Sequence, residues 1–182
     1  MKTAEKIRQA ACQLRPAESG DRRFLLQLYA EGRAAEPMLQ GMDPVQREIF
    51  LEMQFRAREA SYAMSYPGAS DHILCWENGE AIGRVLVDRT RGRMLLVDLA
   101  VSRAQQGRGL GTQILETLQR ECASAGWRLH LQVLKGSAAE RLYRRLGFVS
   151  AGEDPLRRQM IWSRTSGGSA ENTHCRPGLQ GC

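Results

Sequence analysis

The sequence predicts an α/β (α+β) fold in which helices pack on a sheet, and three observations carry that prediction. Asn78-Gly79 joins two runs of strand-forming residues, the strongest short signal for a tight β-hairpin. Leu95–Val101 is apolar apart from Asp98, the composition of an inner strand buried on both faces. That run passes through Gln106-Gly107-Arg108-Gly109-Leu110-Gly111 into a segment with Ile114, Leu115 and Leu118 at helical spacing. A second apolar run follows at Leu129–Leu134. Two strands joined by a helix are the right-handed crossover unit of parallel neighbours.

Each element has its own local reason. Residues 1–11 read as a polar leader, and 13–17 as a short first strand ended by Pro16. Ser19 or Asp21 then caps a helix with Phe24, Leu25, Leu28 and Tyr29 on one side. Gly41-Met42 interrupts the chain, and Asp43-Pro44 opens the next helix with an aspartate N-cap, a proline in the first turn and Gln46 at the capping-box position. In it Val45, Ile49, Phe50, Met53, Ala57 and Ala60 recur every three or four residues, a stripe expected to face the core. Tyr62 and Tyr66, before Pro67-Gly68, close this helical region. The hairpin strands follow at His72–Glu77 and Ala81–Asp88. Gly83 within the second implies a bulge or a close backbone approach. Residues 89–93, with Gly92, turn into the Leu95–Val101 strand. The helix after the glycine loop starts with Thr112 as N-cap and ends at Gly126. Ser137 starts a short helix with Ala138, Leu142 and Leu146 on a face, Gly147 ends it, and Phe148 re-enters the sheet. Met160-Ile161-Trp162 reads as the last strand. The remaining residues, 163–182, hold one leucine, no aromatic and four glycines, and are expected to be a disordered tail beyond a single domain of residues 1–162.

Composition narrows the function. At 182 residues, 42% hydrophobic and 25% charged, the chain is an ordinary one-domain globular protein. No apolar run approaches the ~20 residues of a membrane span, and the first sixteen residues lack the apolar core of a signal peptide. The five cysteines, Cys12, Cys75, Cys122, Cys175 and Cys182, show neither C-x-x-C nor zinc spacing, so no metal is expected. The first three sit among apolar neighbours as small buried hydrophobes, which suits a reducing compartment, and the expected location is the cytoplasm. The formal charge of +6 fits attraction to an anionic ligand. With no Lys/Arg run of five and no nucleic-acid module, nucleic acid is not the expected partner.

The glycine-rich stretch can be a tight strand-to-helix turn, or a cradle in which glycines let backbone N–H groups approach a phosphate at a helix N-terminus. It lacks the Lys-Ser/Thr pair of a Walker loop, and Thr112 stands where a dinucleotide fingerprint needs glycine or alanine. Gln106, Gly109 and Gly111 do match the Gln/Arg-x-x-Gly-x-Gly/Ala loop of the GNAT acetyltransferase superfamily, after a Leu99-Ala100-Val101-Ser102 strand similar to the one leading into that loop. Ala139–Phe148 resembles the superfamily's A-x-x-L-Y-x-x-L-G-F segment. The resemblance is strongest over residues 94–148 and extends over 12–162. It implies a mixed, mostly antiparallel, twisted sheet of six to seven strands with helices on both faces.

The resemblance also implies a chemistry: direct attack of a primary amine, of a small molecule or peptide, on the thioester of acetyl-CoA. The cofactor residues it implies are the pyrophosphate cradle Gln106, Gly107, Arg108, Gly109, Leu110, Gly111 and Thr112, and the main chain of Leu99, Ala100 and Val101 along the pantetheine arm. Ser137 stands where many members have asparagine, so its bond to the cofactor arm is less complete. Tyr143 is implied as the acid that protonates the leaving thiolate; otherwise it is a half-buried aromatic on a helix face. The base is open between Asp98, the lone carboxylate of its strand, and His130, beside Gln132 on the next strand. The region from Phe55 to Tyr66 borders the acceptor site or simply packs. Protein N-terminal acetylation and non-catalytic acyl-CoA binding are the alternatives. The expected partners are acetyl-CoA and an amine, with no membrane, in a monomer or homodimer.

Overall fold

The computed structural model describes residues 12–90 and 92–164. The expected leader at 1–11 and all of the expected tail beyond Arg164 lie outside the described residues, as do Cys175 and Cys182. Ser163 and Arg164 have no regular structure.

Seven strands form one mixed sheet: β1 (Cys12–Pro16), β2 (Ser70–Trp76), β3 (Ala81–Thr90), β4 (Arg93–Val101), β5 (Arg128–Leu134), β6 (Val149–Glu153) and β7 (Arg157–Trp162), in the order β1-β2-β3-β4-β5-β7-β6. Only β4 and β5 run parallel, across the crossover helix. The helices are α1 (Arg22–Arg33), a four-residue α2 (Pro37–Gln40), α3 (Pro44–Ser65), α4 (Leu110–Ala125) and α5 (Ala138–Arg145). Neighbouring residues of β2 face opposite sides of the sheet. Leu74 joins the main core with Leu115, Leu118 and Cys122 of α4, whereas Ile73 packs with Leu25 of α1 and Phe55 of α3. Helices therefore cover both faces.

The local signals account for much of this. Asp43 caps α3, its Oδ1 accepting from Val45 N at 2.9 Å and Gln46 N at 3.4 Å, and Ser137 caps α5 through Glu140 N. Gly79 turns the hairpin with φ +85°, and Gly126 ends α4 in the left-handed region. Gly83 marks a close approach: a Cβ there would lie 2.5 Å from the carbonyl oxygen of Ala100.

Several expectations are corrected. The apolar stripe of α3 is not core: Val45, Ile49 and Met53 are 64%, 65% and 55% exposed, Ala57 and Ala60 are not buried, and Phe50 is half-buried. The inward face carries Leu51, Phe55, Arg58 and Tyr62, and the arginine within it disguises the periodicity. Thr112 is not the N-cap of α4. Gly109, with φ +80°, occupies that position, and Thr112 is the third helical residue. Asp21 stands at the N-cap position of α1 as expected, but its side chain makes no capping bond, because its carboxylate is taken by Arg15 at 2.6 and 2.8 Å and by Glu18 N. Cys75 and Cys122 are buried as expected, but Cys12 only partly. β4 is not buried along its whole length: Met94 and Leu96 are, while Val97–Val101 are half-exposed.

Candidate active site

The half-exposure of β4 follows from a divergence of strands. β4 and β5 pair from Arg93/Arg128 to Leu96/Leu131 and no further, although β5 continues against β7 to Leu134. Just beyond Leu96 the register of β4 against β3 slips. Leu86 faces Asp98 and Val87 faces Leu96, so Val97 is an extra residue in a bulge. One edge of Asp98–Val101 is thus free of a sheet neighbour, and a cleft of about 740 Å³ opens there.

The cleft brings together Asp98, Leu99 and Ala100 of β4, Gln132 of β5, Ser137 at the N-cap of α5 and Tyr143 of that helix. Its other wall is made by α1 and α3. A second cavity of about 330 Å³ adjoins it: Ala100 lines the first and Val101 the second, beside Gln106, Gly107, Gly109, Leu110, Gly111 and Thr112. His130 is not among the cleft-lining residues. It lies half-buried on the paired part of β5, opposite Leu95 and Ile161, and burial, with Arg93 and Arg128, lowers its pKa. Arg108 is exposed on the loop.

Asp98 is in an unusual position for a carboxylate. Its Oδ2 is buried without a hydrogen-bond partner, 3.6 Å from Arg58 Nη1 and 3.7 Å from Arg84 Nη1. Burial pushes its pKa above the ordinary carboxylate value, against the pull of those two arginines. Tyr143 is also buried, its ring 5.6 Å from that of Phe148. Burial first, and the Asp98 charge second, push its phenol up to about 12.

Arg84, only 2% exposed, underlies the site. Its Nε and Nη2 donate to Asp71 at 2.9 and 2.7 Å, and its Nη1 and Nη2 to Glu59 at 2.7 and 2.8 Å. Burial opposes its charge, and these bonds outweigh that, leaving its pKa raised. Arg58 lies over Tyr29 at 4.5 Å and Tyr62 at 5.4 Å. Sequence reasoning missed Arg58 and Arg84 as site residues. The available signals were a lone arginine inside Ile82–Val87, an otherwise apolar strand interior, and one interrupting the inner face of α3.

The glycine loop passes the test of fit for a phosphate-bearing cofactor. Gly107 and Gly109 have φ of +77° and +80°, and a Cβ on either would meet nothing within 4 Å, so open space borders the loop. Asp43 and Ser137 occupy the N-termini of α3 and α5, but Gly109 has no side chain with which to cap α4. The first N–H groups of α4 have no partner within the helix. Gln106 Nε2 donates to the Val101 carbonyl at 2.9 Å, tying the loop to the end of β4. Among the described residues no group of three or more potential metal-ligating His, Cys, Asp or Glu side chains comes together.

The family model for the acetyltransferase (GNAT) domain matches residues 38–163, well over half of the chain. The chain belongs to the GNAT acetyltransferase family. A GNAT protein of this kind is an acetyl-CoA-dependent acetyltransferase, and the sheet of mixed strands with helices on both faces is the family's fold. Similar solved structures include the PaiA N-acetyltransferase from Thermoplasma acidophilum in complex with coenzyme A, at TM-score 0.62 and 13% identity over 84% of this chain and 99% of that one. An acetyltransferase from Thermus thermophilus has TM-score 0.61 and 19% identity over 84% and 97%. A histone acetyltransferase HPA2 and related acetyltransferase from Corynebacterium glutamicum has 0.59 and 21% over 84% and 96%. At these identities the likeness is one of fold. No curated protein matches the chain. No helix among the described residues is long and apolar enough to cross a membrane.

Proposed function

We propose that the protein transfers the acetyl group of acetyl-CoA to a primary amine by direct attack, with Asp98 as the base and Tyr143 as the acid. The observation that carries this reading is the convergence of Asp98 and Tyr143 on one cleft that opens where β4 leaves β5, next to the glycine loop. Bound there, acetyl-CoA supplies an activated acetyl thioester. The N–H groups at the start of α4 and the backbone of Gln106–Thr112 receive its phosphates, and the free edge of Leu99–Val101 receives the pantetheine arm as a neighbouring strand would. Ser137, which caps α5 and faces the cleft, adds a hydroxyl there.

The two titratable groups help each other. An amine attacks only as the free base, so a proton must leave it, and Asp98 with its raised pKa is better suited to hold that proton than an exposed carboxylate. Once protonated, Asp98 no longer repels the tyrosinate charge. The Tyr143 pKa then falls, although burial, the larger of its two causes, still holds it up. Proton uptake at the base thus strengthens the acid at the moment the leaving thiolate needs it. His130, outside the cleft lining, has no part in this reading.

The test is thiol release from acetyl-CoA with a panel of amines, in wild type and two variants. Tyr143→Phe keeps the ring and loses the donor, so turnover falls roughly ten- to a thousandfold while CoA affinity holds. Asp98→Asn lowers turnover similarly and removes the acidic limb of the pH profile. Full activity in either variant overturns the role given to that residue. Unchanged melting of the wild-type protein in saturating CoA overturns the cofactor reading.

A further inference from the structure

Three arginines stand on the α1/α3 side of the cleft, and their charges are not equally satisfied. Arg84 makes four bonds of 2.7–2.9 Å to two carboxylates. Arg33 donates to Glu36 at 2.6 and 2.7 Å and to the Tyr29 hydroxyl at 2.6 Å. Arg58 has only Glu59 at 3.3 Å, already committed to Arg84 by two short bonds, and Asp98 at 3.6 Å, beyond hydrogen-bond reach. Charge-assisted pairs normally close to about 2.7–2.9 Å. What holds Arg58 is aromatic instead: its guanidinium lies over Tyr29, Tyr62 and Phe55 at 4.5, 5.4 and 5.7 Å. Its side chain is 25% exposed, against 3% for Arg84, and lines the cleft. A stacked guanidinium has its orientation fixed; Arg58 Nε is buried without a partner, while Nη1 and Nη2 meet their carboxylates only at 3.6 and 3.3 Å and remain the groups to receive a planar anion from the cleft.

We propose that Arg58 is the binding site for a carboxylate on the acceptor, and that the acceptor is a free amino acid or a close relative carrying its carboxylate beside the reacting amine. This rests on the reading of Asp98 as the group that receives the amine. Asp98 and Arg58 present opposite charges 3.6 Å apart, and an α-amino acid presents the complementary pair one carbon apart. The ammonium goes to Asp98 and the carboxylate to the Nη groups of Arg58. A plain alkylamine or the terminus of a peptide supplies only the first half and leaves Arg58 without its anion.

The experiment compares matched acceptors: an amino acid such as phenylalanine, its amide, and the amine without the carboxylate, phenethylamine, with equivalent sets for methionine and lysine. Wild type is expected to favour the acid over both partners by roughly ten- to a hundredfold in kcat/KM, the range of one hydrogen-bonded charge pair. In Arg58→Met the loss for the amino acid exceeds that for its amide and amine by a similar factor and falls on KM. Arg58→Lys, which keeps the charge without the fork, gives an intermediate ratio and carries the test if the Met variant does not fold. Absence of preference in wild type overturns the inference. So does an equal loss for all acceptors in the Arg58 variants, which would make Arg58 a positioning residue for Asp98. Calorimetric binding of each acceptor to the protein–CoA complex separates the two readings. Amino acids that bind through Arg58 without turnover support the inference and sink the proposed reaction. Turnover of plain amines with no amino-acid binding does the reverse.

Discussion

Asp98 is held in the wrong protonation environment for stability and the right one for proton transfer. Its folded pKa is raised, so the folded protein binds that proton more tightly than the unfolded chain does. The stability contributed by the neutral form is fully present below the unfolded value of about 3.9 and is lost as pH rises through the folded value. Asp98→Asn should therefore melt above wild type at neutral pH, with the gap closing toward pH ~4. Melts of both proteins across that range check it, and a variant that melts below wild type at neutral pH would mean that Arg58 and Arg84 stabilise the ionised form more than burial penalises it. The same substitution removes the Asp98 charge from beside Tyr143, so the phenol should titrate below about 12 in the variant, as read by ultraviolet difference spectra.

At the scale of elements, α3 offers two apolar stripes and only one of them is used. Leu51 and Phe55 are buried, whereas Ile49 and Met53 face outward. Ile49→Gln should therefore change stability by no more than about 0.5 kcal/mol, while Leu51→Ala should cost about 2–4 kcal/mol; denaturant titrations decide between this and the reverse order. The β3–β4 approach is equally specific. Gly83→Ala places a Cβ 2.5 Å from a backbone oxygen that cannot swing aside, on the strand that flanks the cleft. A loss of about 1–3 kcal/mol is expected together with weaker CoA binding, because the carbonyl displaced belongs to Ala100. In the glycine loop, Gly109→Ala meets no neighbour but demands a positive φ, which costs about 1–2 kcal/mol for an L-residue. Its effect should fall more on CoA affinity than on the melting temperature.

At the scale of the whole molecule, the site exists because β4 and β5 stop pairing past Leu96 and Leu131. The bulge at Val97 turns Asp98 toward α3 and α5, and those helices reach the cleft from different parts of the chain. CoA binding should consequently raise the melting temperature of the entire domain by mass action rather than merely order one loop. Residues 165–182 lie outside the described structure, and their sequence holds a single leucine and no aromatic. Ending the chain at Arg164 should leave the melting temperature, light-scattering mass and turnover close to those of the full chain. A fall of several degrees or a change in mass would show that this segment packs.

What the sequence determined by itself was mostly local. The Asn78-Gly79 turn, the Asp43-Pro44 start, the glycine ends of α4 and α5 and the close approach at Gly83 were all legible, because each depends on the backbone preferences of one or two residues. Both segments behind the family resemblance, the glycine loop and Ala139–Phe148, are continuous in the chain, so the fold class and the chemistry expected of the cleft could be read with them. The tertiary structure alone decided which stripe of α3 is buried, that Gly109 rather than Thr112 begins α4, and that Asp98 shares a cleft with Tyr143 while His130 does not. It alone placed Arg58 and Arg84 at the cleft. Arg84 of β3 is buried because partners from distant segments meet it, Glu59 of α3 and Asp71 of β2, and no spacing along one element records that meeting.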